Sequence, residues 1–136
     1  MRHYIYRCYD ADDLLLYVGC AANATRRIAQ HRQGKARASR SLSALMTRYV
    51  AEGPYPDRES AETAERAAIR TESPLLNIQH SQLPGWVSNN RIARYLAERG
   101  LPLDVAGLHR CEKCNILRGF NLTRGLCQDC REDLVA

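Results

Sequence analysis

Residues 3–9 alternate in hydrophobic and polar character and are rich in tyrosine, a pattern that predicts a β-strand. Asp10, Ala11, Asp12 and Asp13 form a turn cluster, and residues 14–18 read as the returning strand of an antiparallel hairpin. The period then lengthens. Asn23 is placed to cap a helix running to about residue 33, with Gly34 as its stop. A second helix is predicted over 41–49, with Ala44, Leu45 and Val50 on its inner side, and a short, poorly patterned third strand is expected near 48–52. Gly53, Pro54, Tyr55 and Pro56 break the chain before a third helix over 58–71. Its Ala61, Ala64, Ala68 and Ile69 make a stripe of mostly small side chains, suited to close packing on a sheet. Ser73 and Pro74 end that helix, and residues 75–78 are placed to return to the sheet edge.

Composition shifts after this point. Residues 79–87 read as a linker and 90–99 as a short helix closed by Gly100, Leu101 and Pro102. The segment from Cys111 to Cys130 carries cysteines at metal-type spacing. The expected organisation is a first domain over residues 1–80, a linker with a short helix over 81–109, and a four-cysteine tail over 110–136. There is no internal repeat and no low-complexity tract.

At 136 residues the chain holds one ordinary core, or one small domain with a metal-stapled appendage. No apolar run is long enough to span a bilayer. Met1, Arg2 and His3 lead straight into the first strand without a signal-like apolar stretch, so a cytoplasmic protein with no membrane partner is expected. In a reducing compartment, paired cysteines read as metal ligands before disulfides. The formal net charge of +5 points weakly to an anionic partner, and the distribution of charge says more. Between Asp13 and Glu52 there is no acidic residue, while Arg26, Arg27, Arg32, Lys35, Arg37, Arg40 and Arg48 fall there. Such a block is either a solvated helical surface or a surface that tracks phosphates.

Several residues in this region suit phosphodiester hydrolysis, which needs a general base, cations around the phosphorus and a stabilised leaving group. Tyr6 and Tyr17 fall on adjacent strands of the predicted hairpin and are able to share one face. Tyrosine pairs on hairpins are more often plain packing. Arg27 and His31 lie one helical turn apart. The arginine offers a forked donor to phosphate, and the histidine exchanges a proton near neutral pH. Taken alone they read as surface residues. Glu65 and Glu62 are both positioned on the third helix to hold a magnesium ion, which needs only one or two carboxylates, or else to be solvated.

In order and spacing, Tyr4-Ile5-Tyr6, Tyr17-Val18-Gly19, Arg27, His31 and a glutamate upstream of Pro74-Leu75-Leu76-Asn77 resemble the GIY-YIG nuclease family over residues 3–78. The resemblance implies active-site roles for Tyr6, Tyr17, Arg27 and His31. It favours Glu65 over Glu62 as the metal ligand and gives Asn77 a bracing role. It further implies an α+β domain, with a small three-stranded antiparallel sheet flanked by helices. The implied chemistry is one-metal hydrolysis with Mg²⁺ or Mn²⁺ and a tyrosine base. Tyr4 replaces the glycine of the first motif and Val18 the isoleucine of the second. Cys20, directly after the second motif, is placed either to tune the site or to pack.

The tail pairs Cys111-x-x-Cys114 with Cys127-x-x-Cys130 across twelve residues, a strong pattern for structural Zn²⁺. Phe120 and Leu122 would supply a miniature core, and so small a segment scarcely folds without its metal. A treble-clef or ribbon-like finger is expected. Four thiolates and one Zn²⁺ would lower the net charge from +5 to about +3. Cys8 and Cys20 stand outside this set and read as free thiols.

The resulting expectation is a metal-dependent DNA endonuclease whose finger positions it on duplex or branched DNA. Arg26, Lys35, Arg37, Arg40, Arg118 and Arg124 are the candidate nucleic-acid contacts. The alternatives are a catalytically inactive nucleic-acid-binding or adaptor module and an RNA-directed nuclease. Nothing in the sequence sets the oligomeric state.

Overall fold

The computed structural model describes residues 2–34, 37–77 and 80–118, with the backbone alone described at 37–39 and 118. The chain divides after Leu83 into two units. No helix among the described residues is long and apolar enough to cross a membrane.

The first unit is built on a three-stranded antiparallel sheet ordered β2-β1-β3, as the hairpin reading and the family resemblance imply. Strand β1 (His3–Tyr9) pairs with β2 (Leu15–Ala21) on one side and β3 (Arg48–Tyr55) on the other. The turn between β1 and β2 is organised by Asp10, whose carboxylate accepts from the amides of Asp12 and Leu14 at 2.9 and 2.8 Å. Helix α1 (Ala24–Arg32) starts where Asn23 accepts from the Arg26 amide at 3.0 Å, as a capping asparagine should. Gly34 follows it at φ 69°, a left-handed residue that ends the helix at little cost.

The next segment differs from expectation. Helix α2 spans Arg37–Leu45, so it begins and ends about four residues before the predicted 41–49. Its buried residues are Ser41, Leu42 and Leu45, while Ala44 is exposed. Residues 48–52 lie in β3, as the strand reading near 48–52 expects, and the overlapping helix reading of 48–49 gives way because Tyr49 and Val50 suit a pleated strand better than a helix. Val50 is 46% exposed rather than inward-facing. Strand β3 also continues through Gly53 and Pro54 instead of breaking there. It lies at the sheet edge, where an imino nitrogen deprives no neighbour of a hydrogen bond.

Helix α3 (Arg58–Glu72) is capped by Asp57, which accepts from the Ser60 amide at 2.7 Å. Its small-residue stripe packs as anticipated: Ala61 is fully buried, and Ala68 and Ile69 pack with Val18 and Leu15 of β2. Arg7 of β1 ties the other end of this helix down, donating to Glu72 at 2.8 and 2.9 Å and to Glu52 of β3 at 3.2 Å. Ser73, at φ 48°, ends α3, and the chain turns along the outer edge of β2. There the amides of Leu75 and Leu76 donate to the carbonyls of Leu15 and Leu16 at 3.2 and 2.7 Å.

In the second unit, helix α4 (Gly85–Glu98) begins five residues before the predicted 90. The Val87 and Ser88 amides both reach the Pro84 carbonyl, so the helix nucleates directly after this proline. Ser88, Ile92, Tyr95 and Leu96 form its buried side. Gly100, at φ 67°, closes it, and a 3-10 turn over Leu103–Ala106 follows. Two short antiparallel strands complete the described part, β4 (His109–Arg110) and β5 (Leu117–Arg118).

Candidate functional site

Strand pairing brings the two predicted phenols together. Tyr6 lies opposite Gly19 and Tyr17 opposite Cys8, so the tyrosines are diagonal neighbours on one face of the hairpin. Their ring centroids are 6.3 Å apart. Helix α1 delivers His31 to the same face, 5.8 Å from the Tyr6 ring and 5.6 Å from the Tyr17 ring. The Tyr6 hydroxyl and His31 Nε2 are 2.9 Å apart in a buried hydrogen bond. Tyr6 is 1% exposed, His31 is also buried, and Tyr17 is half-buried.

Burial governs how these groups titrate. It holds the Tyr6 phenol far above the ordinary range, with Tyr17 adding to the rise and Arg27 opposing it. Tyr17 is raised chiefly by burial and next by the Glu65 charge. His31 is lowered, first by burial and second by Arg27, so its ring is neutral near pH 7 and able to accept the Tyr6 proton. The folded chain therefore binds fewer protons at His31 than the unfolded chain. Stability linked to this residue is present above pH ~6.5 and is lost as pH falls through the depressed folded value.

Gly19 explains why the second motif ends in glycine. A Cβ built at this position would run into the ring and hydroxyl of Tyr6. The Tyr6 ring thus passes close to the Gly19 backbone, with its oxygen hydrogen-bonded to His31. Gly19→Ala is expected to destabilise the fold by about 1–3 kcal/mol, the usual cost of overpacking a tight site. Denaturant unfolding measures this, and an unchanged midpoint would show that the Tyr6 ring relocates freely.

A cavity of about 520 Å³ opens beside this group, between α1 and α3 at the C-terminal end of β2. Arg26, Arg27 and Gln30 line one side, and Arg58, Glu62, Glu65 and Arg66 the other, with Cys20 of β2 also lining it. Arg27 is exposed, and its guanidinium donates to Gln30 at 3.3 Å. Glu65 is half-buried and has its carboxyl raised, first by desolvation and then by Glu62, with Arg66 opposing. A cation would relieve that penalty, and the cavity leaves room for waters to complete a magnesium shell. Cys20 is half-buried in this wall, whereas Cys8 is buried and its thiol is pushed up to about 12.

Asn77 sits at the outer edge of β2. Its side-chain oxygen accepts from the Val18 amide at 2.8 Å, and its side-chain nitrogen donates to the Val18 carbonyl at 3.0 Å. One side chain therefore satisfies both backbone groups of the residue between Tyr17 and Gly19. Tyr6, Tyr17 and His31 thus contact one another, Arg27 and Glu65 line the neighbouring cavity, and Asn77 braces Val18 in the middle of β2. Tyr6, Tyr17, His31 and Asn77 are not among the residues lining that cavity.

Of the other candidates, Arg26 lines the cavity and Arg40 is exposed on α2. Lys35, Arg124, Cys127 and Cys130 lie outside the described residues, as do Phe120 and Leu122; the side chains of Arg37 and Arg118 do as well. Cys111 and Cys114 sit on the turn joining β4 and β5. There the Cys111 amide donates to Ile116 at 3.0 Å, and the Asn115 amide to Cys111 at 2.8 Å. Cys111 is buried and Cys114 exposed. No cluster of three or more metal-ligating side chains occurs among the described residues.

Sequence reasoning passed over Gln30, Arg58 and Arg66. The arginines were legible as charges spaced four apart with Glu62 between them, on the same helix as Glu65. Gln30 carries no such signal.

No curated protein and no solved structure gives a significant match to the chain. A family model of the GIY-YIG catalytic domain matches residues 2–78, a span that contains Tyr6, Tyr17, Arg27, His31, Glu65 and Asn77. Because that span is more than half of the 136 residues and folds as the three-stranded sheet with flanking helices, the chain belongs to the GIY-YIG nuclease superfamily.

Proposed function

We propose that this protein is a DNA endonuclease that hydrolyses phosphodiester bonds with one divalent ion, Mg²⁺ or Mn²⁺, held by Glu65. The observation that carries this reading is the buried Tyr6–His31 hydrogen bond of 2.9 Å beside a cavity lined by Arg27 and Glu65. When bound, the ion offsets phosphate charge and stabilises the leaving alkoxide.

The chain's own residues account for the rest. Burial raises both phenols above their ordinary value, so this reading calls on no standing phenolate. Tyr6 instead passes its proton to neutral His31 Nε2 as its oxygen takes one from the attacking water. Tyr17, packed against both rings and the more accessible phenol, holds that water. Arg27 forks onto the non-bridging phosphate oxygens. Asn77 fixes the strand that carries Tyr17.

The second unit serves as a positioning device. Two thiols on one tight turn suit tetrahedral zinc, and Cys127 and Cys130 would complete the set. Metal analysis is expected to find about one zinc per chain, and a clearly lower content would remove the finger from the proposal.

The enzymatic reading is tested by incubating supercoiled plasmid, branched DNA and RNA with Mg²⁺ or Mn²⁺. Nicked or linear DNA that disappears with a chelator is the expected result. Intact DNA combined with tight, salt-sensitive binding would favour an inactive binding module, and cleavage confined to RNA would move the substrate class.

A further inference from the structure

Arg58, Glu62 and Arg66 occupy successive turns of α3, one turn apart at each step. Arg58 Nε lies 2.7 Å from one oxygen of Glu62, and Arg66 Nη2 lies 3.7 Å from the other. All three line the cavity that Glu65 also lines. Both oxygens of Glu62 are thus engaged by arginine, and the arginines hold its carboxyl below the usual range. This leaves Glu62 poorly suited to share a metal with Glu65. The arginines have a different constraint. Arg58 and Arg66 are each at least half exposed, and solvent-exposed pairs of this kind are weak and easily exchanged.

We propose that Arg58 and Arg66 form a subsite for a second backbone phosphate of the nucleic acid, and that Glu62 occupies them until the substrate does. This rests on the nuclease reading above and adds a contact that it does not need. Arg27 on the opposite wall addresses the scissile phosphate, and the α3 arginines take a neighbouring one. A phosphate supplies the same forked, anionic acceptor that Glu62 now presents, so the exchange preserves the geometry of both guanidinium groups. Glu62 acts as a competing anion that prevents two exposed arginines from binding unrelated polyanions through the same subsite. Its role is positioning.

The test is equilibrium binding of a fluorescent DNA duplex by the full chain in chelator, as a function of salt. The R58Q/R66Q double variant is expected to bind about tenfold more weakly and to flatten the slope of log affinity against log salt by about two. R58K/R66K should restore the slope, because charge is retained. E62Q should tighten binding about threefold. E59Q makes the same charge change at an exposed position outside the cavity lining and should not match that gain. An unchanged slope in R58Q/R66Q, or equal tightening by E59Q and E62Q, overturns the subsite. Loss of cleavage in E62Q together with a raised magnesium requirement also overturns it, by making Glu62 a metal ligand. These binding readouts stand apart from turnover. A wild-type chain that binds with this slope but cuts nothing would defeat the catalytic reading and leave the subsite intact, whereas no binding at all would defeat the subsite.

Discussion

Glu65→Ala is expected to lower the rate of DNA cleavage by roughly a thousandfold or more, the scale on which loss of a key transition-state charge stabiliser acts. The chain should remain folded, because alanine is the best helix former and position 65 lies within α3. The direction of the stability change is a further check. The Glu65 carboxyl titrates above its ordinary value because of desolvation and Glu62, so its stabilising influence is present at acid pH and is lost as pH rises through the folded value. At neutral pH without divalent ions, the variant should therefore melt at the same temperature as the wild type or higher. Added magnesium should raise the wild-type midpoint and leave that of the variant unmoved. Single-turnover cleavage and thermal melts on the same samples decide the matter. A variant that cuts at close to the wild-type rate would sink the assignment of Glu65.

Tyr6→Phe is expected to reduce kcat by about 10²–10⁴-fold, the usual contribution of a positioned acid–base group. Phenylalanine fills the space over Gly19 without the hydroxyl, so the change removes the bond to His31 and little else. The pH profile of wild-type kcat/KM reports the partner. Activity should fall on the acid side as His31 protonates. Because burial and Arg27 favour the neutral ring, the limb should lie below pH ~6.5, the value for an unperturbed histidine. A limb at or above that value would argue against His31 as the proton acceptor. In Tyr6→Phe the residual activity should lose this dependence.

The legible parts of the chain were those where local chemistry decides structure. Asn23 and Asp57 cap helices through their own side chains, and the alternation of β1 needed no partner to be recognised. At the boundary between α2 and β3 the sequence supports a helix to 49 and a strand from 48 at once, and local signals alone do not arbitrate between them. There the Thr47 amide donates to the Tyr9 carbonyl at 2.9 Å, and pairing with β1 fixes the backbone. The site was visible only as an order of residue types. Tyr6, His31 and Glu65 would each pass as ordinary alone. What no spacing rule conveyed was their environment. The rings are buried enough to suppress ionisation, and Gly19 is glycine because Tyr6 lies across it. Nor did the sequence separate Glu62 from Glu65 by residue type. The structure distinguishes them by surroundings: two arginines bracket Glu62 and lower its carboxyl, while desolvation raises that of Glu65.

Asn77 bonds both the amide and the carbonyl of Val18 from outside the sheet, and this double hold fixes which way every side chain of β2 points. Side chains alternate along a strand, so a slip by one residue would exchange its two faces. Tyr17 would leave the side of Tyr6 and His31, and Leu16 or Val18 would be thrust among polar groups. The backbone ladder between β1 and β2 resists such a slip only through its own bonds, which the shifted register could largely remake. A slip would break both Asn77 bonds, and with them the bonds from the Leu75 and Leu76 amides to the Leu15 and Leu16 carbonyls of the same strand. The two bonds from Asn77 thus hold Val18 in register, and loss of Asn77 is expected to give molecules that are folded, similar in compactness and wrongly threaded.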